Sequence, residues 1–469
     1  MIKKYFSVVA LAAAYFVNAQ DVSAIQNSIN VYSNPILGGT SKFNSMAGSM
    51  GALGGDVSVI GTNPAGIGVF IASDVNTTLS TYNNKNTSSL AGRSVDFKTK
   101  NTDLGQAGGV AVFEVNGNTP WKFVNIGVSF TSTSLENYVE TPGNSNISYD
   151  ITDTKYATLN GHAYDRFGDL SKMSIAVGGN YDNRIYVGAG VNIHSSSISQ
   201  YDTASMTFKS SEAGFSEYNE LFSKQYTPYA EDGSGFSANV GVIAKIDNQF
   251  RLGASLETPT WWTIDRVYDY YDIDGNDGRY TESRKFRSPF KGTVSAAYVP
   301  NKSFALNVDY TLGLSKPQYS SDVASVDQEF KDFYGDNYKN QSELKVGAEY
   351  RLNQFRVRAG YALATNPFDN ITMNTFNDNG GNGNQTFDNL YAGKRNTFAV
   401  GLGYDFGSFY LDGAYQNINS KYSNPFLYGN NNAGSEYYSN STYIYGDSSA
   451  VSEVENNRNL FTFTIGWKF

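Results

Sequence analysis

The sequence offers few side chains for covalent chemistry. It contains two histidines, His162 and His194, and no cysteine. Serine-type hydrolysis needs a nucleophile, a base and an orienting acid within hydrogen-bond reach of one another, and no serine lies at a recognisable spacing from either histidine. The lack of cysteine rules out disulfides, thiol catalysis and thiolate metal sites. The sequence therefore predicts that the protein is not an enzyme and needs no cofactor and no metal.

One acidic run, DIDGNDG at residues 272–278, is similar to a calcium-binding loop. Such a loop requires glycine at its sixth position and a glutamate at its twelfth. Asp277 and Ser283 stand at those two positions. The run is therefore interpreted as the polar tip of a β-hairpin.

A second group of side chains could bind a ligand without reacting with it. Arginine forms paired hydrogen bonds with a carboxylate, so basic residues on an enclosed surface are candidate contacts for an acidic ligand. The alternative is a ladder of internal ion pairs with Glu257, Asp309, Glu343, Glu349 and Asp412. The candidate basic residues are Arg251, Lys345, Arg351, Arg356 and Arg358.

The segments that carry these basic residues alternate apolar and polar side chains. The chain ends in such a segment, with Phe461, Phe463, Ile465, Trp467 and Phe469 on one face. Segments of about ten residues with this alternation are typical of outer-membrane β-barrels. The carboxyl-terminal aromatic residue, Phe469, is predicted to be the signal for insertion of the barrel.

The spacing of the strand-like segments supports a barrel. Short turns such as residues 182–184 and 353–354 alternate with long connections, which is how bacterial barrels place turns in the periplasm and loops outside. The long connections are predicted at 84–105, 140–170, 203–234, 315–341, 364–393 and 418–458. The fold class is therefore all-β, a 14-stranded antiparallel transmembrane β-barrel with strands at 73–83, 106–115, 121–139, 171–181, 185–202, 235–246, 250–272, 280–299, 303–314, 342–352, 355–363, 394–405, 409–417 and 459–469.

The chain divides into three parts. Residues 1–19 combine a basic start, an apolar stretch and small residues before Gln20, which is typical of a secretory signal peptide. Residues 73–469 form the predicted barrel. The net charge of −9 argues against nucleic-acid binding. These features predict an integral protein of the outer membrane of a Gram-negative bacterium.

Residues 20–72 do not alternate like membrane strands. They are rich in glycine and contain the turn-forming sequence Asn63-Pro64-Ala65-Gly66. Their apolar residues, such as Phe43 and Ile60, argue against a disordered periplasmic tail. Because a barrel of this size has a wide lumen, the segment is predicted to fold inside it as a small hatch.

The glycine-rich stretch that runs into Asn63-Pro64-Ala65-Gly66, the fourteen-strand plan and the terminal Phe469 resemble the FadL/TodX family of outer-membrane transporters. The composition resembles that of members from Bacteroidota. The resemblance implies passive transport of hydrophobic compounds, most of all long-chain fatty acids, by binding and by gating at the hatch or through the barrel wall. It also implies contact with outer-membrane lipid, lipopolysaccharide and the barrel-assembly machinery.

Long loops in this family carry helices that form an outer apolar groove. Two stretches here have apolar residues at helical spacing and could supply it. The alternative is that these faces only pack together and close the loops. The groove candidates are Phe215, Tyr218, Leu221, Phe222, Phe330, Phe333 and Tyr334.

Two other functions fit a barrel of this size. A general diffusion porin for small polar solutes would have a mobile hatch and a hydrated, charged interior. A surface adhesin or structural barrel would use the long loops, rich in Asn and Tyr, to bind partners.

Overall fold

The computed structural model describes residues 22–36, 38–224, 228–271, 277–321, 324–427, 437–439, 443–444 and 448–469. The predicted signal peptide and most of the calcium-like run lie outside these residues. The helical elements are α1 (Val22–Asn27), a π-helical turn (Ser28–Ser33), α2 (Ser41–Ser45), 3₁₀ turns at Val57–Gly61 and Pro64–Val69, and α3 (Ala324–Asn337). The strands are β1 (Asp74–Leu90), β2 (Arg93–Glu114), β3 (Trp121–Ser134), β4 (Asn137–Asp150), β5 (Lys155–Tyr181), β6 (Ile185–Ser210), β7 (Tyr218–Lys224), β8 (Pro228–Lys245), β9 (Phe250–Glu257), β10 (Trp261–Tyr271), β11 (Asp277–Arg287), β12 (Lys291–Asn301), β13 (Phe304–Gly313), β14 (Gln318–Ser321), β15 (Ser342–Leu352), β16 (Phe355–Ala364), β17 (Ile371–Phe376), β18 (Asn382–Phe387), β19 (Arg395–Asp405), β20 (Phe409–Phe426), β21 (Tyr437–Tyr438), β22 (Tyr443–Ile444) and β23 (Ala450–Lys468).

Fourteen antiparallel strands close into a barrel, which confirms the predicted number of strands and the antiparallel barrel architecture. The last strand closes the ring on the first, from Asp74↔Lys468 to Ser89↔Glu453. Closure gives each backbone donor and acceptor of the ladder a partner within the chain, as a lipid environment demands. The order around the ring is β1, β2, β3, β5, β6, β8, β9, β12, β13, β15, β16, β19, β20 and β23.

The outer surface of the barrel carries an apolar belt. On β16, Phe355, Val357 and Tyr361 point outward and are 57%, 48% and 45% exposed, while Arg356 and Arg358 of the same strand point inward. An exposed belt of this extent is stable against a bilayer and would be costly in water. Among the described residues, no helix is both long and apolar enough to cross a bilayer.

The two ends of the barrel differ in height. At one end, called the turn end here, Asp74 pairs with Lys468 and strands are joined by short turns such as residues 353–354. At the other end, called the loop end, three predicted loops are instead β-hairpins. These hairpins are β1–β2, β4–β5 and β6–β7, and together they are called the tall wall.

The residues predicted as long connections at 84–105, 140–170 and 203–234 are therefore largely strands, and only short turns within them are loops. The β1–β2 hairpin turns through Ala91 and Gly92, whose φ angles of 49° and 74° suit a tight hairpin turn. Beyond the apolar belt both faces of these strands are polar, so the apolar alternation ends although the backbone ladder continues. Sequence alternation therefore marked the part of each strand within the belt and missed its extension.

Three adjacent strands of the ring are interrupted at one height. The breaks lie at residues 258–260 between β9 and β10, at 288–290 between β11 and β12, and at 314–317 between β13 and β14. Pairing below them (Glu257↔Lys291↔Gly313) and above them (Trp261↔Arg287↔Gln318) shows that they face one another. Each break contains a proline, Pro259, Pro289 or Pro317, which cannot donate a ladder hydrogen bond.

The break in the seventh ring strand also reverses which residues face outward. Leu256 is exposed and faces outward before the break, whereas Trp262, also an even-numbered residue, is buried and faces inward after it. The sequence prediction of one continuous strand at 250–272 missed this reversal. Hydroxyl groups replace part of the ladder here, because Ser288 Oγ accepts from Thr260 N at 2.7 Å and Ser315 Oγ accepts from Phe290 N at 2.9 Å.

Candidate functional site

The amino-terminal segment lies against inward-facing side chains of the barrel. At its loop-end extremity, Asn27 donates from Nδ2 to Glu231 Oε1 at 2.9 Å and accepts from Arg166 Nη1 at 2.9 Å. Nearer the turn end, Asn125 Nδ2 donates to the carbonyl oxygen of Ile67 at 2.7 Å. The segment thus extends through the lumen between the two ends, and its described residues, 22–36 and 38–72, are called the hatch below.

The Asn63-Pro64-Ala65-Gly66 motif forms the start of a 3₁₀ turn. Asn63 Oδ1 accepts from Ala65 N at 3.2 Å, and its Nδ2 donates to the Gly51 carbonyl at 2.7 Å. Pro64 occupies the first turn, where no backbone donor is needed. The asparagine therefore joins two parts of the hatch and fixes the turn that follows.

Inward-facing glycines of the wall seat the hatch. A Cβ on Gly188 would lie 2.4 Å from the Pro64 carbonyl carbon, and one on Gly360 would lie 2.3 Å from that of Met46. These distances are shorter than real Cβ contacts, so the close approach requires glycine. Backbone or Cβ atoms of the hatch are also close at four further wall glycines: Gly178 against Gly68, Gly253 against Gly51, Gly347 against Met46 and Gly401 against Ser45.

Buried wall side chains also bond to the hatch backbone. Asp309 accepts from Met50 N at 3.0 Å and from Gly51 N at 3.1 Å. Two amides donate to hatch carbonyls, Asn239 to Ile60 and Gln416 to Asn44, both at 2.7 Å. Several strands of the ring thus hold the hatch through both shape and hydrogen bonds.

A cavity of about 240 Å³ lies between the hatch and the wall. Its lining combines aromatic and polar groups, and it reaches the wall breaks through Thr260 and Pro289. Trp262 donates from Nε1 to the Tyr32 carbonyl at 3.2 Å, and the two rings pack edge to face at 5.0 Å. Burial raises the pKa of the Tyr32 hydroxyl well above its usual range, so the group is neutral there. Other lining residues include Ile36, Phe43, Lys172, His194, Lys291 and Lys345.

Two lysines of the cavity have carbonyl partners instead of carboxylates. Lys172 Nζ donates to the Gly61 carbonyl at 3.3 Å, and Lys291 Nζ donates to the Ser33 carbonyl at 2.9 Å. Glu257 and Glu343 line the same cavity and interact electrostatically with Lys172 and Lys291, respectively. Within the described part of the chain neither lysine forms a direct ion pair with them, so both ammonium groups could also receive an anionic group.

The sequence prediction did not include Lys172 or Lys291. Both alternate with small polar inward residues, Lys172 with Ser174 and Lys291 with Thr293, which is the signal of a lumen-facing position. The sequence pattern could therefore have placed both lysines in the lumen. It could not predict which lumenal cations have a carboxylate partner.

Among the predicted basic residues, Lys345 lines the central cavity. Its ammonium pairs with Glu343 at 3.0 Å. Arg251 instead donates to the Leu53 carbonyl of the hatch at 3.2 Å. Neither contact identifies a ligand site, and the role of these residues stays a prediction.

The other three predicted cations lie near the turn end, around a second cavity of about 300 Å³. Arg358 is buried between Glu349 and Asp412, with an N–O distance of 2.6 Å to each. Arg351 pairs with Glu349 at 2.6 Å and Arg356 with Asp405 at 3.4 Å. The pairs with Glu349 and Asp412 belong to the ion-pair ladder that was predicted as the alternative, whereas Asp405 was not among its predicted members.

The groove candidates divide between two elements. Phe330, Phe333 and Tyr334 lie on α3 as predicted, but all three are buried in an aromatic cluster. Phe330 stacks on Tyr319 with ring centroids 4.4 Å apart, and Tyr334 bonds to Ser28 of the hatch. These side chains thus pack α3 over the loop end and do not line an exposed cleft.

The prediction of a helix around Phe215, Tyr218, Leu221 and Phe222 is wrong. Residues 218–224 form strand β7, which pairs with β6 through Ala204↔Phe222 and Phe208↔Tyr218. Strand geometry places neighbouring side chains on opposite faces, so Leu221 is 67% exposed while Phe222 is fully buried. A long partner strand decided the local structure here over the helical spacing.

The sequence matches no protein-family model and no curated protein. Its structure is similar to that of a Pseudomonas aeruginosa FadL homologue, with a TM-score of 0.58, 13% identity and coverage of 93% of this chain and 99% of that chain. It is also similar to the Pseudomonas putida toluene transporter TodX, with a TM-score of 0.53, 13% identity and coverage of 94% and 100%. For the Ralstonia pickettii toluene transporter TbuX the TM-score is 0.51, with 11% identity and coverage of 92% and 98%. At these identities the likeness establishes a shared fold.

Proposed function

We propose that this chain is a member of the FadL/TodX family that carries hydrophobic compounds across the outer membrane of a Gram-negative bacterium. The shared fold over more than nine-tenths of each chain supports this, as does the apolar belt around the barrel. In this orientation the turn end faces the periplasm and the loop end faces outward. Transport is passive and involves no covalent chemistry.

Long-chain fatty acids are the proposed substrate class. The observation that carries this choice is the pair Lys172 and Lys291, whose ammonium groups face the cavity and bond only to hatch carbonyls among the described residues. A carboxylate would compensate this charge with strong, charge-assisted hydrogen bonds. Toluene has no charged group that could do so, although solved structures of similar fold are toluene transporters.

The proposed route leaves the cavity through the barrel wall. The hatch is seated on wall glycines and held by wall hydrogen bonds, so its displacement would break many contacts together. The wall breaks offer a weaker barrier, because three prolines interrupt the ladder where Thr260 and Pro289 line the cavity. Two serine hydroxyls and two backbone bonds, Ser288 N to the Thr260 carbonyl and Leu314 N to the Phe290 carbonyl, bridge the strands there. An apolar solute that leaves sideways would pass directly into lipid.

The same seating disfavours a general porin, which needs a continuous wet channel. The adhesin hypothesis has no specific observation in its favour.

Around the barrel we propose contacts of the apolar belt with membrane lipid and of the loop end with lipopolysaccharide. Phe469, which is 77% exposed at the turn end, is the proposed signal for the barrel-assembly machinery.

The test compares uptake of radiolabelled oleate with permeation of a small sugar. Cells that express the protein should accumulate oleate in a saturable manner. Liposomes that contain the purified protein should not swell in arabinose. Swelling at a porin-like rate, without oleate uptake, would overturn the proposal.

A further inference from the structure

A shallow groove lies on the outer face of the barrel wall, across β16, β19, β20, β23 and β1. It has a volume of about 640 Å³ and lies within the apolar belt. Gly413 of β20 leaves its floor open, since an added Cβ there would find its nearest neighbour 4.0 Å away. The cross-strand partners of Gly413, Leu402 and Phe463, form the sides and are 66% and 53% exposed. The groove is therefore an apolar depression that faces lipid.

An aromatic pair marks the limit of the groove toward the loop end. Tyr415 and Phe461 are cross-strand partners with ring centroids 5.0 Å apart, and both line the groove. The Tyr415 hydroxyl donates to Asn459 Oδ1 at 2.6 Å. A ring with an apolar body and a polar tip is typical of the boundary between lipid and water. The pair therefore places the edge of the apolar belt at this height.

Two rows of outward-facing polar residues follow directly beyond the aromatic pair. Strand register aligns them across β20, β23, β1 and β2. The eight positions hold five asparagines, three lysines and no acid, although the whole chain has a net charge of −9. They are called the amide–lysine patch, and its rows are Asn417↔Asn459↔Asn83↔Lys100 and Asn419↔Asn457↔Lys85↔Lys98.

The asparagines of the patch bond to one another. Asn417 Nδ2 donates to Asn459 Oδ1 at 2.9 Å and to Asn457 Oδ1 at 3.0 Å, and Asn419 Nδ2 donates to Asn417 Oδ1 at 2.6 Å. These bonds hold the amides in fixed positions beside the groove. Because an amide carries donors and an acceptor side by side, a fixed array of amides suits the hydroxyl groups of a sugar.

The lysines of the patch differ in their partners. Lys85 pairs with Asp96, which lies one row farther from the belt, at 2.7 Å. Lys98 interacts with Asp96 only at longer range. Lys98 and Lys100 are both exposed and form no direct ion pair with any described residue. Their ammonium groups can therefore bind an anion from outside.

This combination belongs to one sector of the wall. On β5 and β6, Met173 and Ile193 are an outward apolar pair of the belt, 41% and 53% exposed. The next two outward rows toward the loop end are Ser171↔Ser195 and Asp169↔Ser197. That sector has an acid where the patch has lysines, so an anion would distinguish the two.

An occupant of the groove and the patch must be apolar at one end and anionic, with hydrogen-bonding groups, at the other. We propose that this sector binds one molecule of lipopolysaccharide. A fatty acyl chain of its lipid A lies in the groove, a phosphate group is bound by Lys98 and Lys100, and the sugar lies on the amides. The choice of this lipid rests on the outer-membrane location and the outward loop end of the proposed function.

The test measures binding of a synthetic lipid A with two phosphates to the full purified chain in detergent, by native mass spectrometry. The unmodified chain should bind one lipid A in a saturable manner. Lys98→Gln/Lys100→Gln removes two charge-assisted contacts and should raise the Kd at least roughly tenfold. The charge-matched control is Lys209→Gln/Lys285→Gln, at lysines of β6 and β11 outside the patch, and its Kd should not change.

Gly413→Val tests the groove separately. The added side chain fills the floor and should raise the Kd for lipid A, and Gly413→Ala, which adds one methyl group, should have a smaller effect. An unchanged Kd in Gly413→Val would overturn the placement of the acyl chain.

Two results would overturn the site itself. One is an equal Kd for the patch variant and its charge-matched control. The other is a phosphatidylglycerol that binds the unmodified chain as tightly as lipid A does, since the patch would then recognise any anionic lipid. The assay does not depend on transport. A chain that binds lipid A but takes up no oleate would refute the proposed transport alone, and the reverse result would refute this site alone.

Discussion

The charged residues of the lumen fall into two kinds. Arg358 has a carboxylate on each side, Glu349 and Asp412, so its charge is balanced by partners within the wall. Lys172 and Lys291 instead bond to carbonyl oxygens of the hatch. Because an ion pair and a carbonyl contact leave different amounts of positive charge uncompensated, the two kinds should respond differently to substitution.

Substitution of the cavity lysines should weaken binding of an acid and spare its ester. Lys172→Met and Lys291→Met each remove one charge-assisted bond, worth about 1.5–3 kcal/mol, so the Kd for oleate should rise at least roughly tenfold. The Kd for methyl oleate, measured with the same purified proteins, should not change. Equal losses for acid and ester would show that the lysines support the cavity without contacting a carboxylate.

Arg358→Met should have the opposite profile. The substitution leaves the buried Asp412 without its partner and removes one of the two arginines that pair with Glu349, a change that typically costs about 3–5 kcal/mol. Denaturant unfolding in detergent should detect this loss, while the Kd for oleate stays the same. A stable variant with lost oleate affinity would instead make Arg358 a ligand contact.

At the scale of elements, the hatch and the wall fit through backbone contact. The glycines of the seat come from several different strands, so the fit is a property of the ring and not of one strand. A side chain at a seat position would press on hatch backbone, which cannot move aside as a flexible side chain can.

Gly188→Val tests the seat. Its side chain would overlap the Pro64 backbone, and we expect a loss of about 1–3 kcal/mol in unfolding free energy. Hydrogen exchange should also become faster in residues 57–69. The matched control is Gly413→Val, at a wall glycine whose added Cβ would find its nearest neighbour, the Thr462 carbonyl, 4.0 Å away. Equal effects of both variants would mean that valine disturbs the strand and not the hatch.

At the scale of the whole molecule, several layers close the lumen. The aromatic cluster of α3 lies at the loop end, the hatch fills the lumen, and the wall breaks lie beside the cavity between hatch and wall. Under the proposed function, this arrangement would favour a solute that partitions from one apolar surface to the next. It disfavours water, which would have to hydrate each of those surfaces.

The electrical behaviour in a planar bilayer should reflect this closure. The intact protein should be nearly silent, and deletion of residues 22–72 should produce steady conductance, because a barrel of fourteen strands is too wide to be filled by its own wall side chains. Large, steady conductance from the intact protein would point to a porin and exclude the seated hatch as a seal.

The sequence by itself determined the closed barrel. Apolar alternation in strands such as β16 and β23, with short turns between pairs of strands, follows from a wall that has lipid on one side and a lumen on the other. The glycine-rich run around Asn63-Pro64-Ala65-Gly66 likewise marked a compact segment, because only close backbone packing explains so many small residues.

The tertiary structure decided what depends on partners far apart in the chain. Beyond the apolar belt the sequence no longer alternates, so it did not predict the tall wall. Residues 218–224 form strand β7 because they pair with β6, through contacts that include Ala204↔Phe222 and Phe208↔Tyr218. The alignment of Pro259, Pro289 and Pro317 at one height depends on strand register, which the spacing of single residues does not fix. The sequence also could not predict the partners of the lumenal cations. Arg358 and Lys172 are both inward-facing basic residues in the sequence pattern. In the folded ring, Arg358 pairs with two carboxylates and Lys172 donates to a carbonyl.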